Sequence, residues 1–181
     1  MPNSTTEFLS PDQVLDAIEA HGDMKIADFG SGPGFFTIPI AQLLGEEGKV
    51  YAFDIQKSAL EAIRSHARIL NIYNIETFWT DLELPEATKL KNESIDLVLL
   101  HNILFQAEAK NQVINEAERI LKNNGRAVVV EWDESSSSFG PPISNRINRA
   151  TLEQLMTSNG FTFEKEFSAG SHHYGVIFKK I

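Results

Sequence analysis

The sequence predicts an α/β fold: a doubly wound, seven-stranded, mostly parallel sheet with helices on both faces and an antiparallel last strand. Two observations carry this. Short apolar or β-branched runs alternate with stretches of helical periodicity along almost the whole chain, the pattern that builds strand–helix–strand units. The chain then closes on two strand-like segments in a hairpin, which places one antiparallel strand near the edge of the sheet.

The elements follow in order. Ser10-Pro11-Asp12-Gln13 reads as a capping box with proline at the first helical position, opening a helix to about Ala20 that Gly22 ends. Met24–Phe29 is the first strand. Phe35–Leu44 is helical, with Pro39 tolerable only in or near the first turn. Lys49–Asp54 is the second strand, and Lys57–Leu70 a helix with Leu60, Ile63, Ala67 and Leu70 recurring at helical spacing. Ile75–Thr80, rich in β-branched and aromatic residues, is the third strand. Ile95–Leu100 is a continuous apolar run of the kind buried on both faces of a parallel sheet. Gln106–Lys122 is an amphipathic helix stopped by Asn123-Asn124-Gly125, residues suited to a left-handed cap. Arg126–Glu131 is the fifth strand. Ser135–Ser138 and Gly140-Pro141-Pro142 form a loop, a helix runs from about Arg149 to Ser158, and Phe161–Phe167 and His172–Lys180 are the closing strands. The whole of 1–181 is expected as a single domain, with 1–9 a flexible start.

Composition narrows the function classes. The chain has no cysteine, so disulfides, thiolate metal sites and a cysteine nucleophile are excluded. No recognisable spacing of His, Asp and Glu marks a metal site. The formal charge is −9 and the basic residues are scattered, whereas a protein gripping nucleic acid needs clustered Lys and Arg to displace counterions from phosphates. A small-molecule substrate suits this balance better. The first residues carry no basic region or apolar run, and no stretch is long enough to span a bilayer, so a cytoplasmic protein is expected.

The segment Met24-Lys-Ile-Ala-Asp28-Phe-Gly30-Ser31-Gly32-Pro-Gly34-Phe35 is the most informative in the chain. A strand ends in an acid and gives way to glycines on alternate positions and then a helix, a turn whose bare backbone admits a close ligand. A dinucleotide fingerprint would need Gly or Ala where Phe35 stands, and no Gly-Lys-Ser/Thr ending marks a phosphate loop. The spacing is instead acidic-x-Gly-x-Gly-x-Gly. It is joined by Asp54 at the end of the second strand, Asp81 after the third, Ile95–Asn102, Gly125–Trp132, and a C-terminal part with Gly140-Pro-Pro and Asn159-Gly-Phe161.

This ordered set resembles the class I S-adenosylmethionine-dependent methyltransferases, in a small Rossmann-like form, over roughly residues 10 to 180. The resemblance implies a cofactor site at Asp28, Gly30, Ser31, Gly32, Gly34, Phe35, Asp54, Ile55, Asp81, Leu82 and His101. It sets the glycine turn against the methionyl and ribose portion, Asp28 at the amino end, Asp54 on the ribose hydroxyls and Asp81 at the adenine amino group. The chemistry agrees, because this cofactor carries a sulfonium cation and no phosphate, so acids at the turn are acceptable.

Methyl transfer is an in-line displacement in which alignment of the acceptor supplies up to ~7–11 kcal/mol in well-oriented systems. His101, Asn102, Glu131, Trp132 and Asp133 follow the fourth and fifth strands on the cofactor edge, and an antiparallel last strand brings the histidines at 172 and 173 and Tyr174 to the same side. His101, Glu131 and His172 are the candidate catalytic residues. After the fourth strand stands Asn102-Ile-Leu-Phe105 and not an Asn- or Asp-Pro-Pro-aromatic run, which argues against the adenine-amino and glutamine-amide branches of the family. Phe105, Trp132 and Phe139 are available for a partly apolar acceptor pocket. Two other readings stand beside this one: an NAD-dependent oxidoreductase, opposed by Phe35, and a non-catalytic S-adenosylmethionine-binding partner subunit.

Overall fold

A computed structural model describes residues 9–134 and 139–181. The flexible start expected before Leu9 and the Ser135–Ser138 part of the expected loop lie outside the described residues. In chain order the elements are α1 (Pro11–Ile18), β1 (Lys25–Phe29), α2 (Thr37–Leu44), β2 (Lys49–Asp54), α3 (Lys57–Ile69), β3 (Ile75–Trp79), β4 (Ile95–His101), α4 (Lys110–Ile120), β5 (Leu121–Trp132), α5 (Arg149–Thr157), β6 (Phe161–Ser168) and β7 (His173–Lys180), with one 3-10 turn at Ile143–Asn145.

The strands form a single seven-stranded sheet in the order β3-β2-β1-β4-β5-β7-β6. The ladders from β3 to β5 are parallel, and β7 lies antiparallel between β5 and β6, as the alternation of elements predicts. One face packs on α4 and α5 through Val113, Ile114, Ala117, Leu152 and Met156. The other packs on α1 and α2 through Val14, Ile18, Ile40 and Leu44, while Leu60 and Ile63 of α3 cover Ala52. Burial on both faces explains why Leu97–Leu100 is an unbroken apolar run. Winding reverses between β1 and β4, and a crevice opens there beyond the strands' carboxyl ends.

Several boundaries differ from expectation for identifiable reasons. Ser10 is the N-cap of α1, but its side chain makes no cap bond; its backbone N–H donates to the Ala169 carbonyl at 2.8 Å, which anchors the helix start to the β6–β7 turn. Leu9, expected in the flexible start, packs against the core. The helix ends at Ile18, with Glu19 in the left-handed conformation, before Gly22 is reached. Pro39 sits in the first turn of α2, where its missing N–H costs nothing. Further along the chain, α4 stops at Ile120 because Leu121 turns extended, is fully buried and pairs with Ile95. Asn123-Asn124-Gly125 is therefore an excursion within β5, not a helix cap, and the ladder resumes at Leu97 and Arg126.

Candidate functional site

The glycine turn is built on the neighbouring strand. The N–H groups of Gly30 and Ser31 both donate to the Phe53 carbonyl, at 2.9 and 3.0 Å. Asp54, 9% exposed, completes the arrangement: its Oδ2 accepts from the Gly32 N–H and its Oδ1 from the Gln56 N–H, each at 2.8 Å. A carboxylate oxygen retains lone-pair capacity after one such bond, so Asp54 still has room for a ligand's hydroxyls. Gly32 has φ of +52° and open space where a side chain would stand, so the turn presents bare backbone to the crevice. Gly30 has φ of +72°, and a Cβ there would come within 3.1 Å of the Ile103 side chain, which leans over the turn from beyond β4.

Between the turn and the β4–α4 connection lies a cavity of about 350 Å³. Of the residues expected at a cofactor site, Gly30, Gly32, Asp54, Ile55, Asp81 and Leu82 line it. Asp81 has a structural duty as well, since its Oδ1 caps the Glu83 N–H at 2.9 Å. Asp28, Ser31, Gly34, Phe35 and His101 lie outside the lining. Asp28 is buried and accepts a 2.6 Å bond from the Thr37 hydroxyl, tying the end of β1 to the start of α2; burial pushes its carboxyl up to about 6. A Cβ on Gly34 would stand 2.9 Å from Ile63, so that glycine serves helix packing. Phe35 is half exposed and stacks over His101 with ring centroids 6.5 Å apart.

Sequence reasoning missed the opposite wall. Ile103, Gln106 and Ala107 line the cavity from the β4–α4 connection, and Val113 lines it from α4. The helix expected to begin at Gln106 begins at Lys110, and residues 103–107 instead form a tight turn in which Gln106 and Ala107 donate to the Ile103 carbonyl. Gln56, Thr80 and Glu83 complete the strand side. Their only sequence signal was adjacency to Asp54 and Asp81. Among the lining residues are three carboxylates and no Lys or Arg.

A second group of side chains stands at the ends of β4, β5 and β7. Asn102, in the left-handed conformation at φ +50°, sets its Nδ2 against the Nε2 of His101 at 3.2 Å and of His173 at 3.0 Å. The two imidazoles facing one end of one amide must share a tautomer. His101 packs edge-on to Phe36, 4.7 Å between centroids, and its pKa is lowered to about 4 by burial and then by His173. The imidazole brought beside His101 is that of His173, not His172. Side chains alternate along β7, and His173 lies opposite Trp132 with rings 4.2 Å apart, while His172 is half-buried before the strand, its Nδ1 2.6 Å from the Ser171 hydroxyl.

Glu131, expected on the open edge, is instead fully buried. Its Oε1 accepts from the Leu104 N–H at 2.8 Å and the Phe105 N–H at 3.4 Å, and burial pushes its carboxyl up to about 7. Of the residues suggested for an apolar pocket, Phe139 is exposed, while Trp132 is covered by Gly140 and lies 5.6 Å from the Arg146 guanidinium.

The chain matches the methyltransferase domain family over residues 20–174 and belongs to it. It is of the class I, S-adenosylmethionine-dependent kind, and the sequence resemblance is thereby confirmed. The ubiquinone/menaquinone biosynthesis C-methyltransferase UbiE of Haemophilus ducreyi is 29% identical over 137 residues, covering 75% of this chain and 50% of that one. The chain thus spans about half the length of the curated relatives it matches. In structure, an S-adenosylmethionine-dependent methyltransferase from Aquifex aeolicus superposes with a TM-score of 0.86 at 20% identity, covering 99% of this chain and 94% of that one. The 4+2 cyclase SpnF superposes at 0.79 with 14% identity, covering 94% and 79%. That neighbour bears a name from a different reaction, so the site and not the fold must carry the functional argument.

The residues present fit S-adenosylmethionine. Bare backbone at Gly32, acids without a facing cation, and the buried, unpartnered hydroxyl of Ser31 in the same turn suit a cationic ligand rich in hydroxyl and amino groups. A pyrophosphate would face three carboxylates there.

Proposed function

We propose that the crevice between the glycine turn and residues 103–107 binds S-adenosylmethionine, and that the protein transfers its methyl group to a small-molecule acceptor. The observation that carries this reading is the lining itself: Asp54, Asp81 and Glu83 without a basic residue, beside backbone left bare at Gly32. When bound, the cofactor supplies an electrophilic methyl on sulfur, whose bond breaks as the acceptor's lone pair forms the new one. The protein holds and aligns.

Asp54 takes the ribose hydroxyls, and Asp81 takes the adenine end, where Ile55 and Leu82 give apolar contact. Gly30 and Gly32 meet the methionyl portion. Asp28 acts at one remove by fixing the start of α2. The acceptor enters over His101 and Phe35. His101 is neutral at physiological pH, so it adds no cation to repel a sulfonium; its part is to orient the acceptor by a hydrogen bond, and it is a weak proton acceptor.

Calorimetry with S-adenosylmethionine, S-adenosylhomocysteine and NAD tests the cofactor assignment. Both sulfur compounds are expected to bind and NAD is not; binding of NAD alone overturns the reading in favour of an oxidoreductase. Release of S-adenosylhomocysteine in a screen of acceptors tests turnover, and tight cofactor binding with no release across the screen would favour the partner-subunit alternative.

A further inference from the structure

Glu131 is an acid at the end of a core strand, yet it touches neither the cavity nor solvent. It is 0% exposed, on the sheet face that packs against α4 and α5. One carboxylate oxygen takes the N–H groups of Leu104 and Phe105, and the other, Oε2, is buried without a partner. A buried acid half-satisfied in this way costs stability, and a packed apolar side chain would cost less.

What it holds explains its presence. Leu104 and Phe105 form the middle of the turn whose flanks, Ile103 and Gln106, are the cavity wall facing the glycines. Ile103 leans on Gly30 with its Cδ1 3.1 Å from where a Cβ would be, so a small displacement of the turn changes the width of the crevice directly. The turn has no ladder of its own, because β4 ends at His101 and α4 begins at Lys110. Its backbone is fixed by the carboxylate of the neighbouring strand, and at its start by Asn102, whose N–H donates to the Val130 carbonyl at 2.9 Å.

We propose that Glu131 is a positioning residue for the cofactor wall: its carboxylate clasps the Leu104 and Phe105 amides and so sets the distance between Ile103 and the glycine turn. It performs no proton transfer and meets no ligand. The inference rests on the crevice being the cofactor site.

The test compares Glu131→Met, which keeps length and volume but removes the acceptor oxygens, with Glu131→Gln, which keeps one. Two measurements are made on each folded variant: amide hydrogen exchange at Leu104 and Phe105, and the Kd for S-adenosylhomocysteine. The Met variant should exchange those two amides at least tenfold faster and bind about tenfold more weakly, with a Tm equal to or above that of the unaltered protein. The Gln variant should bind within about threefold of it. Glu131→Leu repeats the comparison if the Met variant does not fold. Unchanged affinity in a folded variant lacking the acceptor overturns the proposal, as does unchanged exchange. If the unaltered protein binds neither sulfur compound, the cofactor reading itself fails and takes the proposal with it, a result distinguishable from the first two.

Discussion

The two halves of the sheet differ in where most of their polar side chains point, although Asp28 and Ser31 of the first are also buried. At the ends of β1, β2 and β3, Asp54, Asp81 and Glu83 reach the cavity, and Asp54 and Asp81 have carboxylate oxygens already engaged by backbone N–H groups. At the ends of β4, β5 and β7, the polar groups turn inward: Glu131 is sealed, Asn102 bridges two imidazoles, and both carry a buried oxygen without a partner. On the proposed reading the first half is a binding surface whose acids address a ligand directly. The second is a frame whose polar groups mostly address the backbone and one another. Substitution in the first half should alter affinity through contacts with the ligand itself, and substitution in the second should act at one remove, on affinity through the wall that Glu131 holds or on turnover through His101.

The largest departure from that pattern is sought at Asp54. Asp54→Ala removes the acceptor for two backbone N–H groups and, on the proposed reading, for the ribose, and should weaken S-adenosylhomocysteine by about 1–3 kcal/mol, measured by calorimetry. An unchanged affinity would erase the contrast between the halves. Next, His101→Ala should lower kcat by about tenfold while leaving the cofactor Kd within about threefold, since a positioning hydrogen bond is worth roughly 1 kcal/mol. A loss confined to cofactor affinity would move His101 into the binding half.

The third prediction concerns pH. The carboxyl of Glu131 is raised from 4.5 to about 7 by burial, so the stability tied to its protonated form is full below pH 4.5 and is lost as pH rises through 7. Asp28, raised from 3.8 to about 6, acts in the same direction at lower pH. His101, lowered from 6.5 to about 4, acts oppositely: its contribution is present above 6.5 and is lost as pH falls through 4. Comparison with Glu131→Gln isolates the first group. The unfolding free energy of the unaltered protein relative to that variant should fall by about 1 kcal/mol between pH 6 and pH 8. Parallel curves from denaturant titrations at the two pH values would show that Glu131 does not titrate there. The smallest effect is expected at the exposed margin of the second half: Arg149→Ala breaks an exposed pair with Glu166 and a contact with the Tyr174 ring, and should cost about 0.5 kcal/mol by thermal unfolding.

The binding half was legible in the sequence and the frame largely was not. Gly30 and Gly32 announce a turn by their spacing, and Asp54 and Asp81, at two strand ends, are marked by the family resemblance that the ordered set of motifs carries. Ile103, Gln106 and Ala107 have no such signature. Residues 103–107 take their shape from Glu131, 26 and 27 positions downstream of the amides it holds, and no local pattern encodes that bond. The substitution of His173 for His172 has a different origin. A strand's side chains alternate, so an error of one residue in where β7 begins moves the wrong ring toward His101. Helix boundaries slipped for a third reason: Leu121 is claimed by pairing with Ile95 before α4 can use its own cap.

The placement of β7 between β5 and β6 also bears on aggregation. Until β7 pairs, the outer edge of β5 is bare, because β6 joins the sheet only through β7. Val128, Val129 and Val130 on that edge form a β-branched, uncharged run of the kind that templates wrong pairing. Any state with β7 undocked therefore has its sheet open at the strand carrying Glu131. Insertion of β7 shields that run and delivers His173 to Asn102 in one step, so protection from aggregation and completion of the frame arrive together.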